Sequence, residues 1–434
     1  MIDLPEKFIR RMGELLGDRL GDYLAALGRA PAKGLHINTV KCDPSVVDAA
    51  VDGLGKTSFA DNCRFVAAES RPTRHPYYAA GLYYMQEPSA MLPVAALGRL
   101  GSGTRVLDMC AAPGGKTSML ACALGGQGLL VSNEIERSRA VVLRENVVRM
   151  GYGNTVITSM RPDGLAAAFG EYFDVIVADA PCSGEGMMRK EEEAARNWSE
   201  ANVRACAARQ KEIVRSADAC LKRGGTLLYS TCTFSPEEDE EVAEFVISLG
   251  YEPIEPPAAV TECGVKCGAG YKFFPHLFDG EGQYFCMFRK ISDGTGAVRP
   301  KKPYARASAA DKRAVGEVAD ISGLDIAKKD DMLFVPALWS DMPCLANGIM
   351  LGRLEKGRFV PAHQLFASMR SRLNSIIDLP LGSDEIGAYL GGAEIAGNAR
   401  GYCGVAAGGY VLGGGKGSGG VIKNHYPKGL RTKQ

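Results

Sequence analysis

The sequence predicts an α/β protein built around an open, largely parallel sheet with helices on both faces, and three observations carry that prediction. From about Ser89 to Lys290, short apolar runs such as RVLDM, VIVADAPC and TLLYSTC alternate regularly with helical patterns, as strand–helix–strand units do. The runs are apolar almost throughout, which fits strands covered on both faces. Several close on chemically active side chains, Glu134, Asp179, Cys182 and Cys232, and the carboxyl edge of such a sheet is where ligands bind.

At 434 residues the chain exceeds one ordinary core, so two or three domains are expected. Thirteen cysteines without framework spacing argue against a secreted disulfide scaffold and for a reducing compartment. The opening MIDLPEKFIRRMGELLGD has no continuous apolar stretch, and no segment approaches a membrane span in length. A cytoplasmic, monomeric protein without a membrane partner is the expectation. A net charge of +1 neither supports nor excludes a nucleic-acid partner, which would have to use local patches.

In chain order, residues 1–88 read as a small α+β unit. Phe8, Met12, Leu15, Leu16, Leu20, Tyr23, Leu24 and Leu27 recur at helical spacing; then come the alternating strand LHINTV, a helix from Pro44 to Leu54 and a strand near CRFVAA. Residues 89–290 form the alternating α/β domain. Residues 291–313, basic and poor in large apolar side chains, read as a linker. Residues 314–434 hold short strand-like runs, MLFVPAL, IMLGRL and GYVLGG, and a Gly-rich stretch at 408–420 expected to be a mobile loop. No acidic residue follows Glu394, whereas Arg400, Lys416, Lys423, Lys428, Arg431 and Lys433 do. That one-sided charge suits contacts to a nucleic-acid backbone, although a solvated surface would look similar.

The segment Val106-Leu-Asp-Met-Cys-Ala-Ala-Pro-Gly-Gly-Lys-Thr117 reads as strand, small-residue loop and helix start. Small side chains let a backbone approach its ligand, and Gly114 and Gly115 tolerate a tight turn. A Walker loop is excluded because Cys110 stands where the first glycine belongs, and no G-x-G-x-x-G is present. Glu134, one helix and one strand later, can accept hydrogen bonds from both hydroxyls of a ribose. Loop and strand-end acid together fit S-adenosylmethionine, which carries ribose and carboxylate but no phosphate.

Asp179-Ala-Pro-Cys182 puts a thiol where amino-group methyltransferases carry an aromatic ring, which favours carbon as the methyl acceptor. Cytosine C5 becomes nucleophilic once a thiolate adds to C6, and a second thiol can assist release. Each cysteine alone reads equally well as a small core residue. In Ser235-Pro-Glu-Glu238 the carboxylates read as helix caps. Cys263, Cys267, His276 and Cys286 match no usual zinc spacing, so no metal is expected.

The runs CAAPGGKT, DAPCSGEG followed by MMRK, and YSTCTFSPEEDE resemble the Sun (Fmu) family of RNA cytosine-C5 methyltransferases, with HINTVK, YYMQEPSAML and PHLFDGEGQYF as further matches. LGRLEKGRFVPAH and IKNHYPKGLR resemble the PUA-like extension of its small-subunit rRNA branch. The resemblance implies a class I (Rossmann-like) S-adenosylmethionine methyltransferase core, an N-terminal RNA-positioning domain and a mainly-β, PUA-like C-terminal domain. It also implies that Cys232 is the nucleophile, Cys182 promotes release, and Asp179 contacts cofactor and cytosine. Cys110, Ala111, Ala112, Pro113, Gly114, Gly115, Lys116, Glu134, Asp163 and Asp179 would bind the cofactor, with Asp163 at the adenine. Arg189 and Lys190 beside the crevice, and Lys423, Lys428 and Arg431 in the tail, are the candidate RNA contacts. Small-subunit (16S) rRNA is the expected substrate; a tRNA, or an RNA-binding assembly factor without turnover, are the alternatives.

Overall fold

The computed structural model describes residues 4–293, 296–298 and 302–432. The helical periodicity at the start is realised as two helices, Glu6–Leu16 and Leu20–Leu27, with one tight turn at Gly17–Arg19 between them. The break falls at Gly17, whose φ of +56° is a conformation that favours glycine. Phe8, Met12, Leu16, Tyr23 and Leu27 are buried against Met188, Trp198, Phe234 and Phe274. These partners flank the loops that carry Cys182 and Cys232.

Strands β1 (Gly34–Ile37), β2 (Leu54–Lys56), β3 (Cys63–Val66) and β4 (Tyr83–Met85) form an antiparallel sheet in the order β2-β3-β1-β4. Because β1 is interior, all four of its residues are buried and the expected alternation is lost. The helix predicted to reach Leu54 ends at Ala50; Leu54 instead opens β2. This unit grips the end of the helix Arg137–Met150: Asn38 Nδ2 donates to Met150 O and Lys41 Nζ to Arg149 O. Both carbonyls lie in the last helical turn, where no intrahelical donor remains for them.

The middle region contains β5 (Arg105–Asp108), β6 (Leu129–Asn133), β7 (Thr155–Thr158), β8 (Phe173–Asp179), β9 (Leu221–Thr231), β10 (Tyr251–Ile254), β11 (Val265–Cys267), β12 (Gly270–Phe273) and β13 (Gln283–Lys290). Strands β7-β6-β5-β8-β9 are parallel neighbours in that order, and β13, β12 and β11 continue the sheet antiparallel. Alternate residues feed two cores. Val106, Leu130, Val177 and Leu228 face one side, and Leu107, Val131, Ile176 and Leu227 the other. From β5 the chain runs outward through β6 and β7, then returns to β8 on the other flank. A crevice therefore opens at the carboxyl ends of β5 and β8.

Two antiparallel-dominated sheets follow. The first holds β14 (Ala305–Arg306), β15 (Ala327–Lys329), β16 (Met332–Val335), β18 (Ile349–Glu355) and β19 (Arg358–Pro361), while β17 (Ala346–Asn347) crosses over to pair with β7. The second holds β20 (Ile376–Leu379), β21 (Ile395–Ala396), β22 (Gly401–Ala407), β23 (Tyr410–Ser418) and β24 (Val421–Asn424). The stretch 291–313 is not linker throughout: β14 lies in it, and a helix from Ala309 starts with a Ser308–Asp311 capping box. The Gly-rich stretch is likewise not a loop: it contains the whole of β23, with turns only at its two ends. A Cβ on Gly414 would stand 2.2 Å from the Phe366 ring, and one on Gly417 2.2 Å from Ala399 O. Glycine is there because neighbours press on the strand. No helix among the described residues is long and apolar enough to cross a membrane.

Candidate active site

Strand β8 ends at Asp179 and β9 at Thr231, so the loops beginning at Ala180 and Cys232 leave the sheet side by side. Both thiols are half-buried and free, with Cys182 Sγ 3.1 Å from Cys232 Sγ. The contact with Cys232, followed by burial, raises Cys182 well above the ordinary thiol value. Cys182 is thus a protonated thiol near neutrality, able to donate toward its neighbour.

The two loops are laced together from below. Ser183 Oγ and Thr233 Oγ1 are 2.8 Å apart, and the Gly186 N–H donates to Cys232 O at 2.9 Å. A Cβ on Gly186 would lie 2.8 Å from Gly282 O and 3.1 Å from Cys232 O, so this approach requires glycine. Glu185, buried, accepts from the Phe234 N–H, Ser235 Oγ and Trp198 Nε1. Glu238, fully buried, accepts from the Ser183 N–H at 3.0 Å and Gln210 Nε2 at 2.8 Å. The cap assignment for Ser235–Glu238 is corrected accordingly. The helix starts only at Glu240, and both Ser235 and Glu238 turn inward to the thiol loops.

Beside the thiols, Asp179 is held from three sides. Lys116 Nζ sits 2.8 Å from its Oδ2, and Ser230 Oγ and Gln283 Nε2 donate to its Oδ1 at 2.6 and 3.3 Å. Lys116 belongs to the first turn of the helix Gly115–Ala123, whose N-cap Gly114 has φ +116°. A Cβ on Gly115 would meet the Gln86 amide at 2.9 Å, so the residues after β4 close over the small-residue loop Cys110–Gly115. Burial raises the Cys110 thiol strongly, so it is an inert neutral wall of that loop. Glu134, almost fully buried at the end of β6, accepts the Glu136 N–H and faces Arg139 at 3.6 Å.

Asp108, at the end of β5, is a site residue that the sequence did not single out. It is fully buried, accepts from Thr117 Oγ1 at 2.7 Å, and has a second oxygen with no partner. Burial pushes it up to about 7. An orphaned carboxyl oxygen, a backbone cradle and the Glu134 carboxylate around one crevice fit a ligand bearing hydroxyl and amino donors, as S-adenosylmethionine does.

Other predicted residues lie elsewhere. Asp163 stands in the first turn of the helix Pro162–Ala168 with its side chain 79% exposed, facing Arg161 at 3.6 Å and accepting the Gly164 N–H; it does not join the crevice cluster. Arg189 is corrected from RNA contact to buried clamp: it forms a two-pronged pair with Glu281 at 2.7 and 2.8 Å and donates to Ala26 O and Gly280 O. Lys190, Lys423 and Lys428 are exposed. Arg431 is turned partly inward onto Tyr426 O, and Lys433 lies outside the described residues.

The fold is a class I methyltransferase core, and its crevice carries two apposed thiols. Residues 97–289 match the model of the 16S rRNA methyltransferase RsmB/F family, residues 4–88 that of the N-terminal domain of 16S rRNA methyltransferase RsmF, and residues 377–432 that of the methyltransferase RsmF PUA domain. The chain is similar to ribosomal RNA small subunit methyltransferase F of Vibrio vulnificus strain YJ016, with 30% identity over 98% of this chain and 97% of that protein. It is 36% identical to the Vibrio cholerae serotype O1 strain M66-2 protein of the same name over 67% of this chain, a match spanning 65% of that protein's length. The chain belongs to the RsmB/F family. Among solved structures, a methyltransferase homolog protein from Pyrococcus horikoshii superposes with TM-score 0.56 at 25% identity, covering 66% of this chain and 95% of that one. NSun6 from Pyrococcus horikoshii with SFG shares the fold, with TM-score 0.58 at 18% identity over 67% and 99%.

Proposed function

We propose that this protein methylates C5 of a cytosine in small-subunit rRNA, using S-adenosylmethionine. The apposition of Cys182 and Cys232 at 3.1 Å, beside the Lys116–Asp179 pair, carries the proposal. The Cys110–Lys116 loop and Glu134 would hold the cofactor, which would supply an electrophilic methyl group. The base must leave its stack to reach a crevice at the sheet edge.

The chain's own residues account for the rest. Asp179, fixed by Lys116, Ser230 and Gln283, holds the exocyclic amine or N3 of the base. Cys232, as thiolate, adds to C6 and makes C5 an enamine-like carbon. Cys182 keeps its proton during the attack, so it hydrogen-bonds the attacking sulfur instead of competing with it. Once the Cys232 sulfur is bonded to C6 it no longer holds the Cys182 thiol up; Cys182 then loses its proton to water, and as thiolate takes the C5 proton while the C6–S bond breaks and Cys232 leaves as thiolate. The exposed Lys190, Lys423 and Lys428 serve phosphate backbone.

The test is methyl transfer from labelled S-adenosylmethionine to purified small-subunit rRNA, assembled small subunits and tRNA. Cys232→Ala abolishes label on the true substrate, and Cys182→Ala accumulates a covalent protein–RNA adduct. Full activity in Cys232→Ala sinks the nucleophile assignment, label on tRNA alone replaces the substrate, and no label on any RNA leaves a binding factor.

A further inference from the structure

A second cavity, of about 360 Å³, lies far along the sheet from the thiols, in the seam where β17 pairs with the edge strand β7. Its walls come from the helix Arg137–Met150 on one side and from β15–β18 and residues 362–364 on the other. That volume is near the lower end for small-molecule sites, enough for one base and its sugar. Phe334, Met350, Leu345 and Val148 make the apolar surface. Three cations, Arg144, Lys329 and Arg353, and no carboxylate line it. Lys329 is partly neutralised by Asp341 at 2.7 Å, whereas Arg144 and Arg353 pair with no acid among the described residues.

His363 adds an imidazole to the wall of this cavity, its ring edge-on to Tyr426. Its Nδ1 is buried with no hydrogen-bond partner, and burial, then the Lys41 charge, keep the ring neutral by lowering it to about 4. Gln364 beside it is already spent, accepting the Met350 N–H and donating to Gly348 O. A neutral imidazole with unused capacity, an aromatic and thioether wall, and two unpaired guanidinium groups make a set that suits a base bearing a phosphate.

We propose that this seam is a binding site for a single unstacked nucleotide of the RNA, its base against Phe334 and Met350 and its phosphate at Arg144 and Arg353. The assignment rests on RNA being the substrate. It lies outside the segment 377–432 matched as the PUA domain. A nucleotide held there couples the C-terminal region to the catalytic sheet through β17, so RNA bound at the seam is held in register with the crevice.

The experiment uses the full chain and purified small-subunit rRNA, with methyl transfer and ultraviolet cross-linking read in the same samples. Cross-linked nucleotides are expected on peptides spanning 329–353 in addition to those near Cys182 and Cys232. Arg144→Glu with Arg353→Glu should remove the seam cross-links, lower the salt dependence of binding by about one counterion for each phosphate no longer held, and raise KM more than it lowers kcat. Methyl transfer with cross-links near the thiols but none in 329–353 overturns the seam site and leaves the function standing. Neither label nor cross-links anywhere overturns both.

Discussion

One nitrogen of Gln210 donates both to Glu238 Oε2, at 2.8 Å, and to Pro181 O, at 3.0 Å. Glu238 in turn receives the Ser183 N–H, so Pro181, Cys182 and Ser183 are held at both ends from behind. Burial pushes Glu238 up to about 7 from its ordinary 4.5. A carboxyl group raised on folding binds its proton more tightly in the native state. Its contribution to stability is therefore fully present below about 4.5 and is lost as pH rises through about 7. In urea titrations between these limits, wild type should lose on the order of 2–3 kcal/mol relative to Glu238→Gln as pH rises. Parallel curves for the two proteins would refute the shift. Glu238→Ala should also leave the Ser183 N–H unpaired and Gln210 tied only to Pro181 O, and slow methyl transfer without weakening RNA binding.

Arg189→Ala strands the buried Glu281 carboxylate. A buried pair broken on one side costs about 3–5 kcal/mol, so the urea midpoint should fall steeply. The salt slope of RNA binding should stay unchanged. A reduced slope with full stability would return Arg189 to the RNA surface.

Gly186→Ala forces a methyl group against Gly282 O and Cys232 O. Overpacking of this kind costs about 1–3 kcal/mol, and the strain falls between the two thiol loops. Activity should drop far more than the melting temperature, as comparison of initial rates with calorimetry will show. A fully active variant would mean that the thiol spacing tolerates displacement.

Gly414→Ala presses on the Phe366 ring in β23. The expected effect is destabilisation of the C-terminal region by about 1–3 kcal/mol, seen as faster proteolysis there with the catalytic rate retained. Unchanged proteolysis would show that the strand can shift to admit a methyl group.

The residues legible from sequence are those that end strands. Glu134, Asp179, Cys182 and Cys232 each break an apolar run, and the run itself tells which edge they occupy. Asp108 ends a strand in the same way, yet the glycines that follow it are the stronger local signal and point to the loop instead. Glu185 and Glu238 are hidden for a different reason. Their partners lie 49 and 55 residues away in the Phe234 and Ser183 N–H groups, and no local pattern carries information over such distances. Glu238 is further disguised by a serine–proline pair that reads as a helix start. Arg189 shows its charge in the sequence but not Glu281, 92 residues on. The glycines of β23 look like flexibility in a string of letters and become close packing once Phe366 and Ala399 are set beside them.

The packing of the first two helices has a consequence for how this chain can be recombined. Phe8, Met12 and Tyr23 complete a core with Met188, Trp198 and Phe234, and Arg11 reaches Glu237 at 2.6 Å. A chimaera joined near residue 88, where one module hands over to the next in sequence, would cut through that shared interior. Grafting a foreign leading module onto this catalytic sheet would therefore alter the seating of both cysteines, and new substrate choice by module exchange would require the helices from 6 to 27 to travel with the sheet.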